Sequence, residues 1–479
     1  MSLNQPPRFE LVFAFDLVCF LATNHAIKMS ERGFWRFQLG ISSVRNTSSA
    51  RGSGKFPRVL PVSWVALRRF QTTVNDMKRN LLRGAKTLLL AFFSALLFVP
   101  AHAQESFSQC KTRLNEMAVN RGIDRETANS VFAQLTYQPR VIELDRSQPE
   151  FVQTFPGYFS KRVTQWRVDK GREMLAKHGA LLAKLNEKYG VPPHYLLAFW
   201  GLETNFGSYK GKMPVLDSLA TLACDPRRSD YFTQELMVAL QLLQREGLTA
   251  QNMIGSWAGA MGHTQFMPSA YINYAKDGDG NGQINLWDSE EDALTSAANF
   301  LAQLGWQRGF RWGREVNLPD NFDYTLAGYS DRRTVAQWSA LGITKTDGNP
   351  VGTGDLTAYL VVPAGHQGPA FIAYPNFRVI LRWNNSEFYA IAVGHLADRI
   401  AGGPELSAAL PELPAYSRTS ILSLQKELNR RGYDVGKPDG IIGPATRAGI
   451  RQFQTANQMI PDGFPSLEVM QAMGIKLDT

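Results

Sequence analysis

The chain has 479 residues, 44% hydrophobic and 19% charged, a globular mix long enough for two or three domains. Its formal charge of +9 is local: residues 1–103 carry 14 Lys/Arg against 4 Asp/Glu, leaving 37 against 38 for residues 104–479. That balance argues against a nucleic-acid-binding body, which would carry its basic surplus on the folded part.

Taken in chain order, residues 1–76 show scattered Arg, Ser and Gly without periodicity and read as an extension outside the fold. From Met77, MKRNLLRGAKTLLLAFFSALLFVPAHAQ has a basic start, an apolar run at 88–99 and a small-x-small Ala101-His102-Ala103. This is a secretory signal over 77–103, with an apolar run too short for a comfortable membrane span. It predicts export to the periplasm, with translation starting at Met77. No cysteine follows the run directly, so no lipid anchor is indicated, and the product is soluble or loosely wall-associated. Beyond it only Cys110 and Cys224 remain, two thiols that could pair in an oxidising compartment.

Residues 104–250 read as helical: ETANSVFAQL (126–135), GREMLAKHGALLAKLNEKYG (171–190) and TQELMVALQLLQREG (233–247). Gly190 ends the second, and Pro192-Pro193 opens another. SEEDALTSAANFLAQLGW continues the helical pattern, and Ser289 with Asp292 resembles a capping box. YLVVPA (359–364), AFIAYP (370–375) and FRVILRW (377–383) favour strands, and FYAIAVGHLADRI (388–400) returns to helix. The fold class is therefore α+β, mostly helical. PELSAALPELPAYS (404–417) is a Pro-, Ala- and Ser-rich linker between a body at 104–403 and a module at 418–479. That module has room for only a thin core, which suits a binding attachment.

AFWGLETNFG (198–207) places Glu203 among aromatic residues near a helix C-terminus. A helix over 193–206 puts it on a face with Leu196, Phe199 and Trp200. Burial and the negative helix end both favour its neutral form. A carboxylic acid still protonated near neutral pH can protonate a leaving group. GSWAGAMGHTQFMPSAYINYA (255–275) adds Ser256, Trp257, His263, Gln265, Tyr271 and Tyr274, with small residues that let backbone approach a ligand. Aromatic faces with amides and hydroxyls suit a carbohydrate.

DGDGNGQINLWD (277–288) has calcium-loop spacing, with Asp277, Asp279 and Asn281 at positions 1, 3 and 5 and the Gln283 carbonyl at 7. Asp288 stands at 12, where a bidentate Glu is usual, and Asp292 is the carboxylate that could take over. One structural divalent cation, Ca²⁺ in first place, is expected there, and no organic cofactor.

FWGLETNFGSYKGKMPVLDSLATLA, GSWAGAMGHTQFMPSAYINYA and DGDGNGQINLWDSEEDALTSAANFLAQLGW together resemble the membrane-bound lytic murein transglycosylase B family. The resemblance spans roughly 106–400 and implies a lysozyme-like body that cleaves the MurNAc–GlcNAc bond of peptidoglycan without adding water. It makes Glu203 acid and then base, leaving 1,6-anhydromuramic ends. It also implies substrate contacts at Tyr158, Arg228, Ser256, Gln265, Trp383 and Asn384. Trp383-Asn384 stands where the family often reads Tyr-Asn, and Phe300 where a Tyr is common; each change loses a hydroxyl and keeps an aromatic face. The family also carries one ion loop whose final carboxylate lies further along. LQKELNRRGY and KPDGIIGPATRAGIRQFQ resemble a three-helix peptidoglycan-binding domain, strongest in Asp439, Gly440, Gly443, Thr446 and Phe453. Its implied role is tethering to the wall, while Asp439 and Thr446 can equally be fixing turns and helix starts. The implied partners are glycan strands and wall-synthesis proteins, with a monomeric enzyme. A hydrolytic muramidase and a non-catalytic wall-binding protein are the competing readings.

Overall fold

The computed structural model describes residues 105–147 and 153–476; the extension and the signal-like segment lie outside them. The first helices are α1 (Phe107–Asn120), α2 (Arg125–Gln134), α3 (Pro139–Ser147), α4 (Phe155–Arg162), α5 (Gln165–Lys177) and α6 (Gly179–Tyr189). The run at 171–190 is thus two helices rather than one. His178, at φ −105° and ψ 16°, ends α5 and starts α6, with Gly179 next. Gly190 closes α6 in the left-handed conformation, as its position in the sequence predicts.

Helix α7 (Pro193–Thr204) carries Glu203. Pro192 and Pro193 set its start, and Asn205 ends it at φ 49°. Its residues Tyr195–Leu202 are all buried, since an all-apolar helix has no face to offer water. Then come β1 (Met213–Pro214), α8 (Val215–Ala223), α9 (Ser229–Glu246), β2 (Ile254–Gly255), α10 (Pro268–Tyr274) and α11 (Glu290–Gln303). The short β1–β2 pair, Met213 opposite Gly255, fixes the segment after β2 beside the chain that leaves α7. Cys110 of α1 is disulfide-bonded to Cys224, which caps α8. The bond closes a sequence separation of 114 residues, and such long loops give the largest cross-link stabilisation, about 5 kcal/mol in the chain-entropy account.

The sheet is antiparallel, built from β3 (Gly313–Asn317), β4 (Gly328–Thr334), β5 (Thr344–Lys345), β6 (Thr357–Val361) and β7 (Ala370–Ala373) in the order β4-β6-β7-β3-β5. Helix α12 (Val335–Ala340) follows β4 in the chain. The stretch FRVILRW, expected as a strand, belongs instead to helix α13 (Pro375–Trp383). Pro375 sits in its first turn, and Phe377, Val379 and Ile380 are buried while Arg378 and Arg382 point outward. Seven residues of alternating character cannot separate a period of two from 3.6; the preceding proline was the deciding signal. Helix α14 (Glu387–Ile400) follows and packs on α7.

The C-terminal module holds α15 (Arg418–Arg430), α16 (Pro444–Ala456) and α17 (Leu467–Ala472) around Ile421, Leu424, Leu428, Ile450 and Phe453. Gln425 organises it: its carbonyl accepts from Asp439 and Gly440 N–H, and its amide donates to Asp439 Oδ1, Ile441 O and Thr446 Oγ1. Asp439 and Thr446 therefore hold the turn together from inside. The linker is laid on the body: Ser407 and Ala408 N–H each donate to the Glu315 carboxylate at 2.8 Å, and Leu406, Leu410 and Leu413 rest on the main core. His366 Nδ1 lies 2.7 Å from Asp462 Oδ2, joining body and module. Among the described residues no helix is long and apolar enough to cross a membrane.

Candidate active site

Helix α7 is buried along its length, yet Glu203 in its last turn keeps partial access to solvent. Its Oε1 takes two hydrogen bonds, from Tyr389 OH at 2.5 Å and from Trp383 Nε1 at 2.9 Å. Both donors arrive on the α13–α14 pair, Trp383 as the last residue of one helix and Tyr389 near the start of the next. Ser386 caps α14 by accepting from Tyr389 N–H, which sets where the tyrosine begins. Oε1 is thereby committed as acceptor, so a proton on this carboxyl belongs to Oε2.

Burial pushes the Glu203 carboxyl above its ordinary value; the bonds from Tyr389 and Trp383 and the charge of Arg162 pull partly the other way. The Arg162 guanidinium is the neighbouring charge that favours its ionised form. Tyr389 itself, buried and facing a carboxyl, is held well above the usual phenol range and stays a donor.

An aromatic wall surrounds the Trp383 indole: Phe199 at 4.6 Å between ring centroids, Phe300 at 5.1 Å and Phe266 at 5.5 Å. Phe300 stacks on Tyr274 as well, at 4.5 Å. Trp383 thus combines an aromatic face with an indole N–H that donates to the acid. Tyr158 is buried, with Phe388 at 6.1 Å and Arg162 over its ring at 5.4 Å.

Other expected contacts are placed differently. Ser256 Oγ accepts from Ala260 N–H and closes a turn. Gln265 has a left-handed backbone, φ 49°, and its amide donates to the carbonyls of Lys210 and Gly262. Both hold the shape of the segment leading from β2. Arg228 is tied to Asp145, which also pairs with Arg227, and it lies over Phe232. Asn384 follows Trp383 and faces a separate cavity. Tyr271 is fully buried and donates to Ile284 O in the ion loop, so its hydroxyl is not offered to a ligand. Trp257 is only partly buried.

His263 links the acid-bearing helix to the ion loop. Its Nδ1 accepts from Trp200 Nε1 at 3.0 Å, its carbonyl accepts from Thr204 Oγ1 at 2.8 Å, and its N–H donates to Leu286 O. Burial brings its pKa down to about 4, so the ring is neutral at working pH and acts as an acceptor.

In the loop itself, Asp277, Asp279 and Asp292 offer carboxylate oxygens within 4.8 Å of one another. Asp292, fully buried, is the third member; Asp288 instead accepts from Asn285 Nδ2. The shorter side chain at position 12 cannot reach inward, and the first turn of α11 supplies the carboxylate in its place. This also explains the incomplete capping box: Ser289 Oγ accepts from Asp292 N–H, while the Asp292 carboxylate turns to Gly278 and Asn285 N–H. Asn281 Oδ1 accepts from Gln283 N–H within the same turn. A buried carboxylate converging with two others is the hard-oxygen donor set that a divalent cation requires.

Sequence reasoning missed Tyr389, hidden in an apolar helical run, and Arg162. The signal for Tyr389 was a phenol one helix turn from Ser386, in an otherwise aliphatic stripe.

A helical acid site with an aromatic wall and an adjoining oxygen-rich loop defines a glycan-cleaving body. Residues 106–398 match the family described as transglycosylase SLT domain, and residues 417–473 match the putative peptidoglycan-binding domain. The chain belongs to the transglycosylase SLT family and is a peptidoglycan lytic transglycosylase with a lysozyme-like body. It is 32% identical over 303 residues to the membrane-bound lytic murein transglycosylase B of Escherichia coli, covering 60% of this chain and 81% of that one. It resembles SltB3 from Pseudomonas aeruginosa in complex with NAG-anhNAM-pentapeptide, at 41% identity and a TM-score of 0.74, over 77% of this chain and 100% of that one. It also resembles the Escherichia coli lytic transglycosylase Slt35 in complex with calcium, at 32% identity and a TM-score of 0.54, over 61% of this chain and 92% of that one.

Proposed function

We propose that this enzyme cleaves the β-1,4 bond between MurNAc and GlcNAc with Glu203 as the one proton-transferring group, leaving a 1,6-anhydromuramic end. Glu203 Oε2 gives its proton to the glycosidic oxygen as the C1–O bond breaks. The substrate N-acetyl oxygen supports C1 as charge develops. The resulting carboxylate then takes the proton of the muramic C6 hydroxyl while that oxygen bonds to C1, which returns Glu203 to its starting state. The observation that carries this reading is the setting of Glu203, whose hydrogen-bond partners are the Tyr389 phenol and the Trp383 indole, whereas a hydrolase needs a second carboxylate to activate water or to attack. The nucleophile inside the substrate needs no such partner and benefits from a high effective concentration. The peptide-bearing fragment bound by the Pseudomonas relative supports glycan strands as substrate, and the wall-lytic relatives support a periplasmic site of action. Mass analysis of digested peptidoglycan is the test: anhydro ends are expected, and reducing ends would overturn the reading.

Within this scheme Tyr389 and Trp383 set the acid's strength. Tyr389→Phe removes a donor that favours the ionised form, so the Glu203 pKa rises further. The basic limb of the pH profile of kcat/KM, where the acid form is lost, is expected to move to higher pH. An unmoved limb would mean that the phenol does not act on the acid.

The three aspartates would hold one divalent cation, calcium being supported by the Slt35 relative. Asp277, Asp279 and the buried Asp292 would share its charge, and the loop that they belong to rests against His263, which in turn bonds α7. Calcium is expected to raise the melting temperature, since a ligand of the folded state at a hundredfold excess over Kd adds about 2.7 kcal/mol. Asp292→Asn should abolish that response, and a melting curve indifferent to calcium and chelator alike would rule the site out.

A further inference from the structure

A cavity of about 750 Å³ opens between the body and the C-terminal module. One of its walls is the segment that carries the acid's two donors. Trp383 and Tyr389 touch Glu203, while Asn384, Glu387 and Phe388 between them line the cavity. The two spaces are therefore separated by the thickness of a single stretch of chain.

The opposite wall carries two guanidiniums, Arg447 and Arg451. Arg447 reaches Glu387 only at 3.6 Å, beyond good hydrogen-bond range. Glu387 already accepts from Tyr329 OH at 2.8 Å. Arg451 is half-buried, and its Nε has no partner among the described residues. Asp462, the other carboxylate lining the space, is taken by His366, Gln454 and the Phe464 N–H. Tyr416 is 9% exposed and its hydroxyl is also unpartnered among the described residues. Burial and the neighbouring Arg447 charge press on the Arg451 guanidinium, and the Asp462 and Glu387 carboxylates offset part of that pressure. Two guanidiniums on one wall, with the Arg451 Nε and the buried Tyr416 hydroxyl left as donors without a partner among the described residues, describe a receptor for an anion with several oxygens. The apolar lining beside them, including Ile442 and Phe388, fits an aliphatic chain leading to that anion.

We propose that this junction binds the peptide stem carried by the muramic residue at the cleavage site, with Arg447, Arg451 and Tyr416 taking a stem carboxylate. The inference rests on the functional reading above and extends it to the peptide. The module then acts as one wall of a substrate subsite, in keeping with a linker held on the body at Glu315. Arg447 and Arg451 both lie on α16, one turn apart, so a single helix presents the paired charge.

The test compares glycan strands bearing stem peptides with the same strands stripped by an amidase, using the full chain. Arg451→Gln is expected to raise KM for peptide-bearing strands about tenfold, ~1.4 kcal/mol, with kcat unchanged and KM for stripped strands unmoved. Arg451→Lys should recover part of the loss. Tyr416→Phe keeps the ring in place and should raise the same KM about threefold, which decides the matter if the arginine variants fold poorly. Equal effects on both substrates, or no effect on either, overturn the proposal. A wild-type enzyme that releases anhydro products from neither substrate overturns the functional reading, and this one with it.

Discussion

Glu203→Gln is expected to lower the rate of glycan cleavage by about 10³-fold or more, because one group serves as both acid and base and general acid–base catalysis alone contributes 10²–10⁴-fold. The amide keeps a carbonyl oxygen for Tyr389 and Trp383 to donate to, so the packing around it survives. What it loses is the proton at Oε2. The same change should make the protein more stable. The folded-state pKa of Glu203 is raised above its ordinary value of 4.5, so the folded form holds this proton where the unfolded chain has released it. Stability from this group is fully present below 4.5 and falls as pH rises through the raised value. Gln does not titrate, so the variant's melting temperature should exceed that of the wild type at neutral pH and approach it near pH 4. Thermal melts across pH, beside product release from purified sacculi, check both halves. Cleavage at the wild-type rate would remove Glu203 from the mechanism; identical melts at neutral pH would show that its charge is not confined.

Gly211→Ala is expected to be severe for a different reason. Gly211 has φ +96°, and a Cβ placed there would lie 2.0 Å from the Gly255 carbonyl oxygen and 2.8 Å from Ser256 N. Backbone cannot yield as a flexible side-chain tip does. Behind it, Gly255 is itself close to a carbonyl, with an ideal Cβ 2.1 Å from Ala260 O. The stack of Gly211, Gly255 and Ala260 is how the segment carrying Ser256, His263 and Gln265 reaches the end of α7. A left-handed backbone costs an alanine about 1–2 kcal/mol, and the overlap should take the total to about 4 kcal/mol, a large part of ordinary domain stability. Denaturant midpoints measure it, and activity should fall as His263 leaves Thr204. A midpoint within error of wild type would mean that β1 and β2 do not approach as closely as described.

Much of this site could be read before the fold was known. Pro192-Pro193 and Asn205 bracket a helix, and Glu203 is conspicuous within it because its neighbours are apolar. The aspartate spacing at 277–288 declares an ion loop, and Gly440, Thr446 and Phe453 declare the module. Other features depend on distance in space. The short Asp288 at position 12 already raises Asp292 as its substitute, but the choice between them is made by the direction in which α11 starts. Nothing local tells that Arg228 is held by Asp145, 83 residues away in the chain. The misread strand at 377–383 had a local answer in Pro375. Tyr389 had only the hint of a phenol one turn past Ser386, because its value lies in facing a residue 186 positions earlier.

That long separation has a consequence for how the enzyme comes into being. A nascent or truncated chain that ends before α13 contains Glu203 but neither of the groups that clamp it. Such a fragment holds the acid without the two donors that fix its Oε1 as an acceptor, so the site takes its final form only when almost the whole body has been made.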